Sequence, residues 1–224
     1  MISFVKKVIR KIKTLCDVLL GTFWAYYYTL RYNRNGNVFV CHARLRNCKM
    51  NINGKNHRII IEGGTIRNTK FEISGMGNQV IMDKNVNFVE GGRIRLQDNN
   101  NLVHIGENSL IVDCFFALSD NGTKVIVGKD CLFSAKIIIR TSDAHSIVSN
   151  GKRINPGKDV LIGDHVWVGY GANILKGSVI DGHSIIGTQS VCAGLHVPEG
   201  CVACGNPAKI VKQDIDWSIE RLSC

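Results

Sequence analysis

Residues 162–191 read IGDHVWVGYGANILKGSVIDGHSIIGTQSV, and their spacing decides the fold. An aliphatic residue recurs every six positions, at Ile162, Val168, Ile174, Ile180 and Ile186. A small or β-branched residue follows four places after each, at Val166, Ala172, Ser178, Ser184 and Ser190. A period of six matches neither a helix nor a simple alternating strand. It suits a chain that turns a corner every six residues and points one aliphatic side chain inward from each flat face. Three faces make a coil of about eighteen residues, and coils stack at the strand spacing of roughly 4.8 Å. The expected fold is an all-β parallel solenoid.

The pattern continues upstream in looser form. Ile61-Glu62-Gly63-Gly64-Thr65, Met82-Asp83-Lys84-Asn85-Val86, Ile105-Gly106-Glu107-Asn108-Ser109, Val127-Gly128-Lys129-Asp130-Cys131 and Ile162-Gly163-Asp164-His165-Val166 align. Each has a branched residue two places earlier: Ile59, Val80, Val103, Val125 and Val160. The polar residues that follow each aliphatic one are turn chemistry. The spacings are 21, 23, 22 and then 35, so the last interval carries about 13 residues that no coil can absorb. An extruded loop is expected there, and the polar, Gly- and Pro-containing stretch 145–157 (HSIVSNGKRINPG) is the candidate.

Composition agrees. A chain of 224 residues is long enough for one solenoid domain with short appendages, and 23 glycines against 3 prolines suit many tight corners. The nine cysteines follow the repeat and not a disulfide framework, which argues for a reducing, cytoplasmic setting. No pair of CxxC motifs suggests structural zinc, and no metal is expected.

Residues 1–34 differ in kind. Ile2, Val5, Ile9, Ile12, Cys16 and Leu19 keep a three-to-four spacing among Lys6, Lys7, Arg10, Lys11 and Lys13, the pattern of a cationic amphipathic helix, and Phe23, Trp24, Tyr26, Tyr27 and Tyr28 follow. Seven basic residues against Asp17 alone give this segment +6 of the formal +10. The apolar run from Val18 to Leu30 is 13 residues, short of the roughly 20 that span a bilayer. Asp17 and the lack of an A-x-A site argue against a signal peptide. Two readings stay open: a helix docked on the solenoid or a neighbouring subunit, and an interfacial helix on an anionic inner membrane surface. Nucleic-acid binding is not expected, since no reader fold accompanies the basic residues. The organisation is a helical segment over 1–34, the solenoid over 35–212, and a short terminal helix over 213–224 covering the open end of the apolar stack.

Residues 158–169 (KDVLIGDHVWVG), the repeats after them and Gly205-Asn206-Pro207-Ala208-Lys209 resemble the hexapeptide-repeat acyltransferases, over roughly residues 59–212. Within that superfamily, Thr141-Ser142-Asp143-Ala144-His145-Ser146-Ile147 is similar to the active-site stretch of bacterial O-acetyltransferases that modify capsule, lipopolysaccharide or related sugars. The resemblance implies a left-handed β-helix, acetyl-CoA as cosubstrate, a saccharide acceptor, and a homotrimer with active sites between subunits.

On that footing His145 is the expected general base, because a free imidazole accepts a hydroxyl proton near neutral pH. Asp143 is the candidate to hold its tautomer, with a backbone carbonyl as the alternative. The resemblance places Gly169 or Tyr170 near the oxyanion, and Trp167 either lines the cleft for acetyl-CoA and acceptor or packs on a trimer neighbour. Ala172, Thr188 and Ala193 are candidate walls for the pantetheine arm, the last two favoured by the resemblance. Lys209 is the expected phosphate partner, with Lys176 and Lys212 as alternatives. In the loop, Lys152, Arg153 and Asn155 are candidate acceptor contacts. Residues 192–201 leave the six-residue register and are expected to form a turn or loop.

Alternatives of other kinds are a cysteine-mediated ping-pong route, N-acetylation of a nucleotide-linked amino sugar, and a noncatalytic scaffold. A zinc carbonic anhydrase on this solenoid needs three converging histidines. His145, His165 and His183 lie 20 and 18 residues apart with no close H-x4-H pair.

Overall fold

The computed structural model describes residues 19–223. Residues 2–18 of the expected cationic helix lie outside the described residues. Residues 19–32 are helical, and every regular element after them is a strand.

The strands stack into three flat faces, giving seven complete coils and a partial eighth. The first face runs in parallel from Val38–Cys41 to His196–Val197. Its inward row Cys41, Ile61, Met82, Ile105, Val127, Ile162, Ile180, Val197 is the expected alignment, carried one coil further upstream and two downstream. Phe39, Ile59, Val80, Val103, Val125 and Val160 form a second buried row on that face. The second face stacks Leu45, Ile66, Phe88, Ile111, Phe133, Val168, Ile186 and Ala203, and the third stacks Phe71, Ile94, Phe116, Ile139, Ile174 and Cys192. These residues are buried almost completely, so one apolar column runs the length of the solenoid.

The column narrows along the chain. Phe71, Phe88, Phe116 and Phe133 fill the upstream coils, whereas Ile174, Ile186, Cys192 and Ala203 fill the downstream ones. Upstream, the third corner takes five residues (53–57, 74–78, 97–101 and 119–123); downstream it takes three (176–178). The longer corner turns a polar ladder inward. Asn37 Oδ1 accepts from His57 N, His57 Nδ1 from Asn78 N, Asn78 Oδ1 from Asn101 N and Asn101 Oδ1 from Thr123 N, at 2.8–3.1 Å. Thr123 and Thr141 end it with a 2.8 Å hydroxyl pair. Each buried polar group thus satisfies the coil above it, as burial requires. In the narrow coils Ser178 and Ser184 donate to the carbonyls of Cys192 and Pro198, which explains serine at buried corners.

The helix over 19–32 buries Ala25, Tyr28 and Tyr32, and the Tyr28 and Tyr32 hydroxyls donate to the Cys48 and Met50 carbonyls of the first coil. The Tyr28 and Tyr32 ring centroids lie 6.4 and 6.1 Å from that of the core residue Phe39, so the helix closes the wide end of the column.

Two expectations are corrected. Residues 192–201 are no loop: Val191–Ala193 and His196–Val197 continue the ladder, and only the third corner shrinks, to Gly194 and Leu195, with Gly194 at φ +64. The C-terminal segment over 213–223 is not helical. Ala208–Lys212 folds back antiparallel on Val202–Gly205, and the chain then returns along the first corner, with Ile215 N donating to Gly200 O. Trp217 stacks on His165 at 4.2 Å and donates to its carbonyl, while Asp216 reaches His183. Anchors on successive coils hold the segment extended, which overrides its helical propensity.

Candidate active site

The extruded loop is the third corner of the fifth coil, enlarged. Where earlier coils spend five residues, this one spends 141–159, and Lys158 N closes the neck on Thr141 O at 2.9 Å. Face pairing continues across the insertion, Val127 with Ile162 and Ile139 with Ile174. The loop's outer part is a hairpin, Val148–Ser149 against Lys152–Arg153, turned by Asn150 and Gly151 at φ 49 and 72. Asn-Gly is the dipeptide that a two-residue hairpin turn prefers.

Asn155 holds the neck together. Its buried side chain donates Nδ2 to Asp143 Oδ2 at 2.7 Å and to His145 O at 2.8 Å, and its Oδ1 accepts from Ile147 N at 2.7 Å. Between the two acceptors, Ala144 sits at φ +63, a left-handed conformation that costs an alanine roughly 1 kcal/mol. The Asn155 bonds on either side hold it there. Lys176, at the third corner of the next coil, donates to Asp143 Oδ2 and at 3.2 Å to Asn155 O. The Lys176 ammonium, followed by the Asn155 amide, holds the Asp143 carboxyl below the usual carboxylate range.

Arg153 forks onto Asp120, Nη1 to Oδ1 at 3.0 Å and Nη2 to Oδ2 at 2.7 Å, and Gly157 N donates to the same carboxylate at 2.7 Å. That pairing lowers the Asp120 pKa. Arg153 and Asn155, read from sequence as acceptor contacts, therefore anchor the loop in this geometry. Asp143, read as an orienting partner of His145, directs its hydrogen bonds to Asn155 and Lys176. The sequence reading missed Asp120, although it stands in third-corner register, and missed Lys176 as a partner of Asp143.

His145 is exposed, and among the described residues its ring makes no hydrogen bond. The imidazole is thus presented at the loop base with its backbone fixed and its nitrogens open.

The other candidates gather elsewhere. Trp167 projects outward from the second face beside inward Val168, and Gly169, Tyr170 and Thr188 form the second corner of two successive coils. Gly169 N donates to Ile186 O at 2.7 Å, and a Cβ on Gly169 would stand 2.7 Å from Thr188 N. The Gly169 N–H is thus committed to the ladder, whereas among the described residues no backbone bond occupies that of Tyr170. Lys209 is exposed opposite Cys204 on the hairpin that borders this corner. Ala193 ends the third face, and Ala172 is fully buried in the column, so it offers no wall to a ligand. One chain therefore places His145, Asp143 and Asn155 at the third corner and Trp167, Gly169, Tyr170, Thr188 and Lys209 at or beside the second, with a face between them.

Burial pushes the Cys131 and Cys192 thiols up to about 11 and that of Cys41 to about 12, far from a reactive thiolate. His165, His183 and Asp216 bring atoms able to bind a metal within 4.8 Å of one another; these are the groups that dock the C-terminal segment.

No protein-family model matches the chain. It is 35% identical over 151 residues to the polysialic acid O-acetyltransferase of Neisseria meningitidis, covering 58% of this chain and 70% of that protein. It is 36% identical over 118 residues to the polysialic acid O-acetyltransferase of Escherichia coli O1:K1, covering 52% of this chain but only 38% of the relative's length. Among solved structures, the polysialic-acid-specific acetyltransferase NeuO superposes with a TM-score of 0.74 at 33% identity, covering 84% of this chain and 81% of that one. The polysialic acid O-acetyltransferase OatWY superposes at 0.69 and 28% identity, covering 80% and 92%. The solenoid is the left-handed parallel β-helix, an exception to the right-handed crossover rule.

Proposed function

The chain belongs to the hexapeptide-repeat O-acetyltransferases, and from that membership we propose that it transfers an acetyl group from acetyl-CoA to a hydroxyl of a bacterial surface polysaccharide or its precursor. The observation that carries this reading is the open imidazole of His145 on a backbone pinned by Asn155. The acceptor oxygen attacks the thioester carbonyl carbon as His145 takes its proton. The tetrahedral intermediate collapses by breaking the C–S bond, and the imidazolium returns the proton to the departing CoA sulfur. The Tyr170 N–H, unoccupied by the ladder, is the available backbone donor for the oxyanion.

The separation of the two corners supports a site between subunits, in which the third corner of one copy faces the second corner of the next in a homotrimer. Ile147, Val148 and Ile154 on the loop are exposed, and such apolar surface suits a partner's coverage. Lys209 is free to meet the CoA phosphates, and Thr188 and Ala193 to flank its arm. Lys176 is already paired with Asp143. The raised pKa values of the buried Cys131 and Cys192 thiols count against those two as acetyl carriers.

The test is incubation with acetyl-CoA and a panel of bacterial saccharides, following CoA release and locating the ester by mass spectrometry. An O-acetylated saccharide with wild type and none with His145→Ala is expected. A covalent acetyl-enzyme formed from acetyl-CoA alone would overturn direct transfer.

A further inference from the structure

The helix over residues 19–32 has two apolar faces, and the solenoid uses one. Ala25, Tyr28 and Tyr32 bury against the first coil, and a Cβ on Gly21 would stand 3.3 Å from Arg44 Cβ, so glycine there keeps the contact open. Leu19, Leu20, Phe23, Tyr26, Tyr27 and Leu30 are exposed, Leu20 by 58% and Leu30 by 66%. At about 100° per residue these six positions fall on one stripe roughly 120° wide, opposite the docked face. No charged residue lies within it. A contiguous exposed stripe of this kind marks an interaction surface and not scattered surface apolarity.

Charge identifies the occupant. From residue 18 to residue 34 there is no acidic side chain, and Arg31 and Arg34 follow the stripe. The preceding sequence adds Lys6, Lys7, Arg10, Lys11 and Lys13 against Asp17. A second copy docking by the same face would bring this cationic segment against itself. An anionic lipid surface meets both properties: headgroups attract the cations, and the acyl boundary accepts leucine and aromatic rings. Trp24, Tyr26 and Tyr27 are the residue types that settle at a bilayer interface, with rings in the apolar zone and polar atoms in water. Among the described residues no helix is long and apolar enough to cross a membrane, and a helix docked along one side presents only its other side to a lipid surface.

We propose that the outward face of this helix seats the protein on an anionic lipid surface, with the solenoid docked on its opposite face, so that the enzyme works beside a membrane. The proposal does not depend on the acetyl-transfer reading, and its test contains no activity measurement.

The full chain is mixed with vesicles of phosphatidylcholine alone, or with phosphatidylglycerol added, and bound protein is measured by flotation at two salt concentrations. Binding to the anionic vesicles at least about tenfold tighter than to the neutral ones, and weakened by salt, is expected. The triple variant Leu20→Glu, Phe23→Glu, Leu30→Glu leaves Ala25, Tyr28 and Tyr32 in place. It should keep its melting temperature and its mass by light scattering while losing vesicle binding. A second variant, Lys6→Gln, Lys7→Gln, Lys11→Gln, leaves the docked helix untouched and should lose the preference for anionic lipid. Absence of wild-type binding, or unchanged binding by the triple variant, overturns the proposal. So does a change of oligomeric mass in the triple variant, which would assign the stripe to a subunit contact.

Discussion

The coils before residue 141 and those after it are built to different gauges. Upstream, phenylalanines fill a wide column and a five-residue third corner turns Asn37, His57, Asn78, Asn101 and Thr123 inward as a hydrogen-bonded ladder. Downstream, Val, Ile, Cys and Ala fill a narrow column whose third corner needs three residues or fewer. The extruded loop leaves where the gauge changes. The polar ladder ends at Thr141, so the chain beyond it has no inward rung to supply and is free to extend into solvent. The flat faces keep their parallel pairing across the break. A corner can therefore be enlarged without disturbing the stack, which is how a rigid solenoid carries an irregular site.

The sharpest way to break this division of labour is His145→Ala. Loss of the loop imidazole should lower the rate of CoA release by ~10²–10⁴-fold, the range of general-base catalysis, with an unchanged melting temperature. A matching fall in thermal stability would make His145 a structural residue. The gauge difference is tested next. Phe133→Ala should cost about 3–4 kcal/mol in denaturant unfolding by leaving a cavity in the wide column. Cys192→Phe should cost roughly 1–3 kcal/mol by overpacking the narrow one. If the narrow column accepted phenylalanine freely, the taper would be incidental.

A smaller effect is expected from Asn155→Asp, which keeps the volume but removes the amide donors to Asp143 and His145. Here kcat should fall by roughly tenfold or more through displaced geometry while KM for acetyl-CoA holds, and unfolding free energy should drop by about 1–2 kcal/mol. A change confined to KM would place Asn155 against the cosubstrate instead.

The smallest effect is the response to acid. Asp143 and Asp120 have pKa values below the usual carboxylate range, by pairing with Lys176 and Arg153 respectively. A depressed carboxyl contributes stability that is fully present above its unfolded value and is lost as pH falls through the folded one. Both groups are partly exposed, so the loss is modest. Amides of residues 142–157 should exchange faster below the carboxylate range before those of the narrow coils do. Simultaneous loosening of loop and coils would show that these pairs brace the whole stack.

Much of this was legible from spacing. The rows headed by Ile61 and Ile59 are the actual inward registers, and the 35-residue interval marks the loop that contains His145. The terminal helix was misread because Trp217 and Asp216 bind His165 and His183, partners about 50 and 33 residues away that local propensity cannot register. The loop residues were misread for a related reason. A polar side chain in an exposed segment looks available to a ligand until its partner is known, and Arg153 is held by Asp120 on the preceding coil.

A six-residue period by itself determined the solenoid, its inward rows and the place where a corner is enlarged, because inward and outward positions on a coil depend only on counting along the chain. Only the tertiary structure decided which corner each polar residue occupies, that Asn155 and Lys176 hold Asp143, that Ala144 is kept left-handed beside His145, and that the candidate cosubstrate residues stand one face away. Those relations join side chains from different coils, and distance between coils is set by stacking, which no local pattern of residues contains.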